Sequence, residues 1–225
     1  MGWGEWTRGV EIEPSLYAAD FSCLREEIAV VMDAGARIFQ FDVGDGHFVE
    51  PVTIGPIVLQ SISGLVHERG GVLDVHLMTE HPARHFQAVA EAGGDSVTFH
   101  VEAVDDVPVT AARARELGLA AGLAFNPETE PEDAAAAAGD VDLVLCMSIH
   151  PGYSGQEFMP ESLRRIRRLR ELMPDGKPIQ VDGGVGLDNV RALREAGASL
   201  LVAGSSVYGE DDPGAAYRRL VEALA

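Results

Sequence analysis

The sequence predicts a (β/α)8 TIM barrel, an α/β fold in which eight parallel strands form a ring inside eight helices. Apolar runs of four to seven residues alternate along the chain with segments of helical periodicity. This alternation is typical of repeated strand–helix units. The length of 225 residues lies within the roughly 200–250 residues that one such barrel uses. We therefore expect a single domain over residues 1–225, with residues 1–10 as an N-terminal extension.

Short glycine-containing phrases support this alternation. The sequences AGA, AGG, LGL and AGA at 34–36, 92–94, 117–119 and 196–198 each separate a predicted helix from the strand that follows. A glycine in the left-handed conformation commonly ends a helix at such a point. A doubly wound open sheet is the alternative fold. It is disfavoured because no GxGxxG motif follows the first strand, where Pro14-Ser15-Leu16 stands instead.

The eight strands are predicted from short runs of β-branched, aromatic and aliphatic residues. In the second strand, Gln40 and Asp42 alternate with apolar residues. Residues two apart share a face of a strand, so these two side chains point the same way. In chain order the predicted strands are 11–16, 37–43, 72–78, 95–101, 119–124, 141–148, 177–182 and 199–203.

Eight helices are predicted between these strands, at 21–34, 55–67, 82–92, 107–117, 131–138, 160–173, 187–196 and 212–224. Ser22 is the expected N-cap of the first, and Gly35 ends it. Pro160 begins the sixth and Pro174 closes it. The sixth helix carries a run of arginines that we expect on a solvated outer face, a basic docking site being the alternative: Arg164, Arg165, Arg167, Arg168 and Arg170.

Composition excludes several classes of function. The net charge of −19 argues against nucleic acid and anionic membranes as partners, and no apolar run approaches the ~18 residues of a membrane span. Cys23 and Cys146 lack metal-site spacing and are expected to be reduced and buried in a cytoplasmic protein. Lys177, the only lysine, begins a strand on the non-catalytic face, so lysine-dependent chemistry is nearly excluded. Trp3 and Trp6 are expected to plug one end of the core.

Polar side chains collect where the predicted strands end, which is where catalytic groups of such barrels lie. Asp42, His76 and Asp182 are the main examples, together with Gln40. Two buried carboxylates without a lysine partner are costly, so they suggest a metal site or paired acid/base work. The second and seventh strands are three steps apart around a ring of eight, so Asp42 and Asp182 should flank a ligand from nearly opposite sides. His100 could either make a core hydrogen bond or support the site from behind.

Three glycine-rich loops follow the sixth, seventh and eighth strands, and they are 150–156, 182–185 and 203–206. Phosphate sites in these barrels are built from loops after the last strands and from a helix N-terminus. Glycine lets backbone N–H groups approach phosphate oxygens closely. Because no arginine lies in these loops, we expect any phosphate to be held mostly by backbone groups.

At this point the sequence resembles the ribulose-phosphate 3-epimerase family, from about Glu11 to Gly209. The resemblance implies a TIM barrel of the ribulose-phosphate-binding type. The matching segments are 14–16 with 19–21, 41–43 with 45–49, 73–78, 142–145 with 147–148, 151–158, 181–185 and 203–207, among them the sequences LDVHLM, PGYSGQEF, VDGGV and AGSSV.

The resemblance implies a metal-dependent epimerase that inverts carbon 3 of a ketose phosphate, D-ribulose 5-phosphate or a close analogue. Asp42 and Asp182 would be the acid/base groups and would also bind the metal, together with His76. The ion would be divalent: zinc, manganese, iron or cobalt. The partners would be a phosphorylated sugar and further copies of the chain in a homo-oligomer. The residues that would bind substrate are Ser15, His76, Met78, Met147, Gly152, Tyr153, Ser154, Gly155, Gly183, Gly184, Gly204 and Ser205.

Two positions depart from the family pattern. Gln40 stands where the family has a histidine ligand, and Gly44 stands where it usually has methionine. An amide oxygen can coordinate a metal, but it is harder than imidazole and favours an oxygen-loving ion such as manganese. Gly44 is expected to widen the pocket. Met78 and Met147 are expected as apolar walls, with core packing as the alternative.

Three functions therefore compete. The first is a ketose-phosphate 3-epimerase, with ribulose 5-phosphate or a different ketose phosphate as substrate. The second is a non-catalytic barrel that binds a phosphorylated ligand, which Gln40 favours and the pair Asp42 and Asp182 disfavours. The third is a sugar-phosphate decarboxylase or aldolase, which the absence of a lysine at the mouth disfavours.

Overall fold

A computed structural model describes residues 2–224 and confirms the predicted barrel. Met1 and Ala225 lie outside the described residues, and the single domain over 1–225 stays a prediction. The strands are β1 (Glu11–Pro14), β2 (Ile38–Gly44), β3 (Val72–Met78), β4 (Ser96–His100), β5 (Ala120–Phe125), β6 (Leu143–Met147), β7 (Ile179–Asp182) and β8 (Leu200–Ala203).

All eight strands belong to one parallel sheet with the order β1-β8-β7-β6-β5-β4-β3-β2. The two edge strands meet through a parallel bridge between Ser15 and Gln40. This bridge brings the ring close to closure, and a closed ring leaves no long strand edge exposed. All strands run the same way, so their carboxyl ends form a single mouth.

Within residues 2–224, eight helices follow the strands as the periodicity predicts, and two further helices of one turn each, α1 and α9, were not predicted. Four-residue helices carry too few apolar positions to show a period. The helices are α1 (Trp3–Trp6), α2 (Leu24–Asp33), α3 (Pro56–Glu68), α4 (Phe86–Ala92), α5 (Val107–Glu116), α6 (Pro131–Ala136), α7 (Ser162–Leu172), α8 (Val190–Ala196), α9 (Ser205–Tyr208) and α10 (Pro213–Ala223). None in residues 2–224 is both long enough and apolar enough to cross a membrane.

Trp3 and Trp6 of α1 close the end of the ring opposite the mouth, which agrees with the prediction that they plug one end of the core. The rings of Trp3 and Trp6 pack edge to face with centroids 5.2 Å apart. Both belong to a buried cluster with Ile38, Val72 and Leu200, the first residues of β2, β3 and β8. Lys177 also lies at this end, where its ammonium group donates to the Val141 carbonyl. The only lysine of the sequence therefore lies at the opposite end of the ring from the mouth.

Three details differ from the sequence-based expectations. The chain forms a 3-10 turn at Phe21–Cys23 before α2, and the capping acceptor is Asp20, whose side chain accepts from Ser22 N at 2.8 Å. Ser22 is therefore not the cap. Cys146 is buried, but Cys23 is partly exposed in that turn. The arginines of α7 are not all solvated, because Arg165 is 6% exposed.

Arg165 turns inward and joins the loop after β5 to the end of β6. Its guanidinium donates to the carbonyl oxygens of Met147 (2.9 Å), Asn126 (2.6 Å) and Thr129 (3.0 Å). It also lies over the Phe125 ring, 4.7 Å from the centroid. Arg165 thus holds the ends of β5 and β6 in place, a role that the sequence pattern of charged residues did not predict.

A polar layer fills the ring directly below the mouth. The Gln180 amide donates to Glu13 Oε2 (2.6 Å) and to Asp74 Oδ2 (2.9 Å). Ser96 donates to the other oxygen of Asp74 at 2.6 Å. Burial and the charge of Asp74 raise the pKa of Glu13 well above its usual value. Glu13 is therefore expected to hold its proton in the folded chain at pH values where the unfolded chain has lost it.

Replacing Glu13 with glutamine is expected to stabilise the chain, relative to the native chain, more at pH 8 than at pH 5. Because the pKa of Glu13 is raised in the folded state, its contribution to stability is complete below pH about 4.5, the pKa in the unfolded chain. That contribution is lost as the pH rises through the pKa of the folded state. Glutamine keeps the acceptor for Gln180 and removes this loss. Urea unfolding at both pH values measures it, with the exposed Glu195→Gln as control. An equal effect of Glu13→Gln at both pH values would show that Glu13 is not held neutral.

Candidate active site

Three predicted side chains meet at the mouth. Asp42 and His76 are paired residues of β2 and β3, and His76 Nδ1 lies 2.9 Å from Asp42 Oδ1. Asp182, at the end of β7, places Oδ2 3.8 Å from the same nitrogen. One ligand atom from each of the three residues lies within 4.8 Å of the other two, so the group could hold a metal ion. Ser15, after β1, donates to Asp42 Oδ2 at 2.9 Å.

The two carboxyl groups influence each other because they share a buried space. Burial, and then the negative charge of Asp42, raise the pKa of Asp182 to about 7. His76 is fully buried, which by itself would lower its pKa, but the hydrogen bond and charge of Asp42 outweigh burial and raise it. Protons are therefore held within this cluster near neutral pH.

Gln40 lies beside Asp182, and its amide Nε2 donates to Asp182 Oδ2 at 3.0 Å. The side chain is fully buried, and its carbonyl Oε1 has no hydrogen-bond partner among residues 2–224. The oxygen and the nitrogen of a side-chain amide are nearly equal in size, so a flip of the Gln40 amide would place Oε1 beside Asp182 instead. Gln40 is thus close enough to contribute an oxygen to the cluster.

His100, the last residue of β4, and Glu102, just beyond it, continue the cluster from β3 toward β5. His100 Nε2 lies 2.8 Å from His76 Nε2, and His100 Nδ1 lies 3.3 Å from Glu102 Oε2. Of the two interpretations of His100, the structure favours support of the site from behind. Burial lowers the pKa of His100 to about 4. The role of Glu102 was not predicted, since its position just beyond a strand does not indicate that its side chain points toward His100.

The three glycine-rich loops line one pocket with the carboxylates, as expected from their register. The lining includes Ser15, Met78, Met147, Gly152, Tyr153, Ser154, Gly155, Gly183, Gly184, Gly204 and Ser205. It also includes Tyr17, Ile149, Val185 and Val202, which were not predicted. No lysine or arginine is among the described residues that line it.

Backbone N–H groups in these loops are available to a ligand. Within residues 2–224, the amides of Gly183, Gly184, Gly204 and Ser205 donate to no other backbone group. Gly183 and Gly184 have φ values of +122° and +63°, a region that favours glycine. The loops therefore supply donors without side-chain charge.

The expectation that Gly44 widens the pocket is wrong. A Cβ at this position would lie 2.9 Å from the Pro51 carbonyl oxygen and 2.9 Å from Val49 Cγ2. Gly44 N also donates to Thr53 Oγ1 at 2.7 Å. The loop after β2 thus occupies the space that a side chain would take, and Gly44 does not line the pocket.

The loop after β2 also contacts the loop after β6 across the mouth. The Tyr153 hydroxyl donates to Glu50 Oε2 at 2.8 Å, although half of Tyr153 is exposed. A Cβ on Gly152 would come within 3.3 Å of Val49 and Pro51. The two loops therefore pack against each other at one side of the pocket.

The fold and the site together define a (β/α)8 barrel with two carboxylates and an imidazole at a mouth lined by glycine loops. Comparison with known proteins agrees with this class. The model of the ribulose-phosphate 3-epimerase family matches residues 11–208. The chain belongs to the ribulose-phosphate 3-epimerase family, which confirms the resemblance found in the sequence.

Individual relatives align over most of their length. The ribulose-phosphate 3-epimerase of Bacillus subtilis (strain 168) is 40% identical over 207 residues, covering 90% of this chain and 94% of that protein. The enzyme of the same name from Mycobacterium bovis is 41% identical over 218 residues, covering 95% and 93%. A solved orotidine 5'-phosphate decarboxylase from Pyrococcus horikoshii OT3 has a TM-score of 0.68 with 16% identity, covering 95% and 98%. At that identity the structural match shows the fold alone.

Proposed function

We propose that this chain epimerises carbon 3 of a ketose phosphate, converting D-ribulose 5-phosphate to D-xylulose 5-phosphate or acting on a close analogue. The observation that carries the proposal is the placement of Asp42 and Asp182. They lie near the carboxyl ends of β2 and β7, which are three steps apart around the ring, and both line the pocket that the glycine loops complete. Family membership supports the same activity.

Inversion at a carbon requires one group to remove a proton from one face and another to deliver a proton to the opposite face. Asp42 and Asp182 are suited to these two roles. With its pKa raised to about 7, Asp182 can hold a proton and donate it, while Asp42 accepts the proton that leaves carbon 3. In the reverse direction the roles exchange. Ser15 orients Asp42 through the hydrogen bond to Oδ2.

A divalent ion would be held by Asp42, His76 and Asp182. Two carboxylates and an imidazole converge where the described residues lining the pocket include no cationic side chain, so a cation would offset the cost of burying both acids. The unpartnered Oε1 of Gln40 is a further oxygen that such an ion could satisfy. When bound, the ion would stabilise the negative charge that develops on the substrate oxygens after proton removal. Oxygen-rich ligands favour manganese over zinc.

The phosphate of the substrate would bind to the loops after β6, β7 and β8. This is supported by four backbone amides that donate to no other backbone group within residues 2–224, those of Gly183, Gly184, Gly204 and Ser205. Oriented N–H groups bind anions without side-chain charge. Ser154, Tyr153 and the glycines at 152 and 155 would complete this end. Met78 and Met147 would form the apolar walls near the reacting carbon. A net charge of −19 makes such local donors necessary.

Two alternatives remain open to test. A different ketose phosphate is less favoured than the sequence alone implied, because Gly44 does not enlarge the pocket. A barrel that only binds phosphorylated ligands is favoured by Gln40. A homo-oligomer and a cytoplasmic location stay predictions.

An epimerase assay separates these functions. The purified chain is incubated with ribulose 5-phosphate and with related ketose phosphates, with and without added manganese or zinc, and thermal shifts are recorded with the same compounds. Ion-dependent conversion of ribulose 5-phosphate supports the proposal. Thermal stabilisation by the compounds without conversion of any of them would leave the binding-only function.

Replacing Gln40 with histidine is expected to increase zinc affinity by about tenfold or more. An outer-shell partner alone is worth roughly 10–100-fold in metal affinity, and a ligating nitrogen should contribute at least as much. Titration calorimetry with zinc, and the metal content after dialysis, measure the change. Gln60→His on the exposed face of α3 is the control for a histidine that binds zinc non-specifically. Equal zinc binding by the native chain and Gln40→His would remove Gln40 from the ligand set.

A further inference from the structure

A chain of hydrogen bonds leads from the carboxylate cluster to the protein surface. It begins at His76, whose Nδ1 faces Asp42 and whose Nε2 lies 2.8 Å from His100 Nε2. It continues from His100 Nδ1 to Glu102 Oε2 at 3.3 Å. Glu102 ends the chain, with a quarter of its side chain exposed. Both histidines are completely buried, so water does not compete for the contact between them.

The bond between the two Nε2 atoms can contain only one proton, and its position depends on Glu102. Glu102 Oε1 accepts from Asn126 N at 2.8 Å and from the Thr129 hydroxyl. Burial alone would raise the pKa of Glu102, but these bonds and that from His100 lower it to about 2. Glu102 is therefore a carboxylate, which can only accept.

An ionised Glu102 decides the direction of the whole chain. If His100 carried its proton on Nε2, a lone pair on Nδ1 would face the carboxylate, and two acceptors would oppose each other. His100 must instead donate from Nδ1 to Glu102, so its Nε2 becomes an acceptor. His76 then donates from Nε2, since among residues 2–224 it is the only partner of that acceptor.

We propose that His100 and Glu102 are positioning residues that hold the Nε2 proton of His76 and so direct its Nδ1 toward the space between Asp42 and Asp182. The inference rests on the proposed function in one respect, namely that this space receives a divalent ion. A neutral imidazole has one donor nitrogen and one acceptor nitrogen. With Nε2 committed to His100, Nδ1 is the nitrogen left for the ion, which on binding would displace the proton that Nδ1 shares with Asp42 Oδ1 in the ion-free chain.

Packing keeps this geometry rigid. Phe48, from the loop after β2, lies against the His100 ring with centroids 4.7 Å apart. The His76 and His100 rings are themselves 5.0 Å apart and inclined by 25°. Phe48 belongs to the same loop that closes one side of the pocket, so the loop also helps to fix the ring that orients His76.

Two readouts test the proposal. The first is the ¹⁵N chemical shifts of the imidazole nitrogens in the ion-free native chain, where His76 Nε2 is expected to carry a proton and His100 Nε2 is not. The second is manganese affinity by titration calorimetry. Glu102→Gln is expected to weaken it by roughly 10–100-fold, as for other outer-shell partners of metal ligands. Asp105→Asn removes the same charge from an exposed position of the same loop and is expected to change the affinity by less than about twofold.

The outcomes are distinct. A protonated Nε2 on His100 in the native chain would overturn the proposal, and so would a manganese affinity of Glu102→Gln equal to that of Asp105→Asn. In Glu102→Gln the tautomer signals of His100 are expected to change, which a purely structural role of Glu102 would not require. If the native chain bound no divalent ion, the proposed function would fail, while the ¹⁵N shifts would still decide the direction of the hydrogen bonds.

Discussion

Asp182→Asn is expected to lower kcat by roughly 10²–10⁴-fold or more while the phosphate end of the substrate still binds. Asparagine has nearly the same shape and can still bond with Gln40, which now donates to Asp182 Oδ2 at 3.0 Å. It cannot release and recover a proton. The proposed phosphate donors are backbone amides, among them those of Gly204 and Ser205, and the substitution does not remove them. The steady-state rate with ribulose 5-phosphate, and thermal stabilisation by the same compound, measure the two effects.

Asp188→Asn is the matched control for this variant. Asp188 is exposed between β7 and α8, so its replacement removes the same charge nearby without touching the pocket. We expect its kcat to stay within about twofold of the native value, because exposed charges at this separation are screened by salt. Metal content is measured for both variants, since Asp182 is also a proposed ligand. A near-native kcat for Asp182→Asn would remove Asp182 from its acid/base role.

Gly183→Ala is expected to cost roughly 2–5 kcal/mol of stability, the sum of about 1–2 kcal/mol for the left-handed backbone and about 1–3 kcal/mol for overpacking. The φ of Gly183 is +122°, and a Cβ there would lie 2.4 Å from Ile149 Cγ1 and 2.8 Å from Ile149 N. Backbone atoms cannot move aside as a flexible side chain can. Relief of this clash would shift the amides that we propose to bind the phosphate, so affinity for inorganic phosphate should also fall.

Gly186→Ala in the same loop provides the comparison. A Cβ at Gly186 would meet only Ser206 Cβ, at 3.9 Å, an ordinary contact. Its effect on stability is expected to stay within about 0.5 kcal/mol. Urea unfolding and phosphate titration of both variants measure the contrast. If the two variants were equally stable and bound phosphate equally well, the close approach at Gly183 would have no functional meaning.

The barrel could be predicted because its cause is local and repeated. Each strand of β2 to β6 is a continuous apolar or alternating run, and each is followed by a segment of helical period. The elements that were missed are those without such a repeat. The helices α1 and α9 have four residues each, and Arg165 differs from the other arginines of α7 only through the carbonyl groups that surround it.

The site was predictable to the extent that strand ends determine it. Asp42, His76 and Asp182 meet because parallel strands place their carboxyl ends at one mouth. The contacts of Glu102 and of the Glu13–Gln180 pair could not be predicted, because they depend on side-chain directions across strands far apart in the chain. Gly44 shows the same limit, since the loop that fills its space lies five to nine residues further along the sequence.

The proposed function depends on exchange of the proton on carbon 3 of a ketose phosphate by two carboxylates. Its most direct test is ¹H NMR of ribulose 5-phosphate incubated with the native chain and manganese in heavy water. We expect xylulose 5-phosphate to form and solvent deuterium to enter at carbon 3 of both sugars, with no exchange in Asp182→Asn. Retention of the original hydrogen at carbon 3 in the native reaction, with no xylulose 5-phosphate formed, would contradict it.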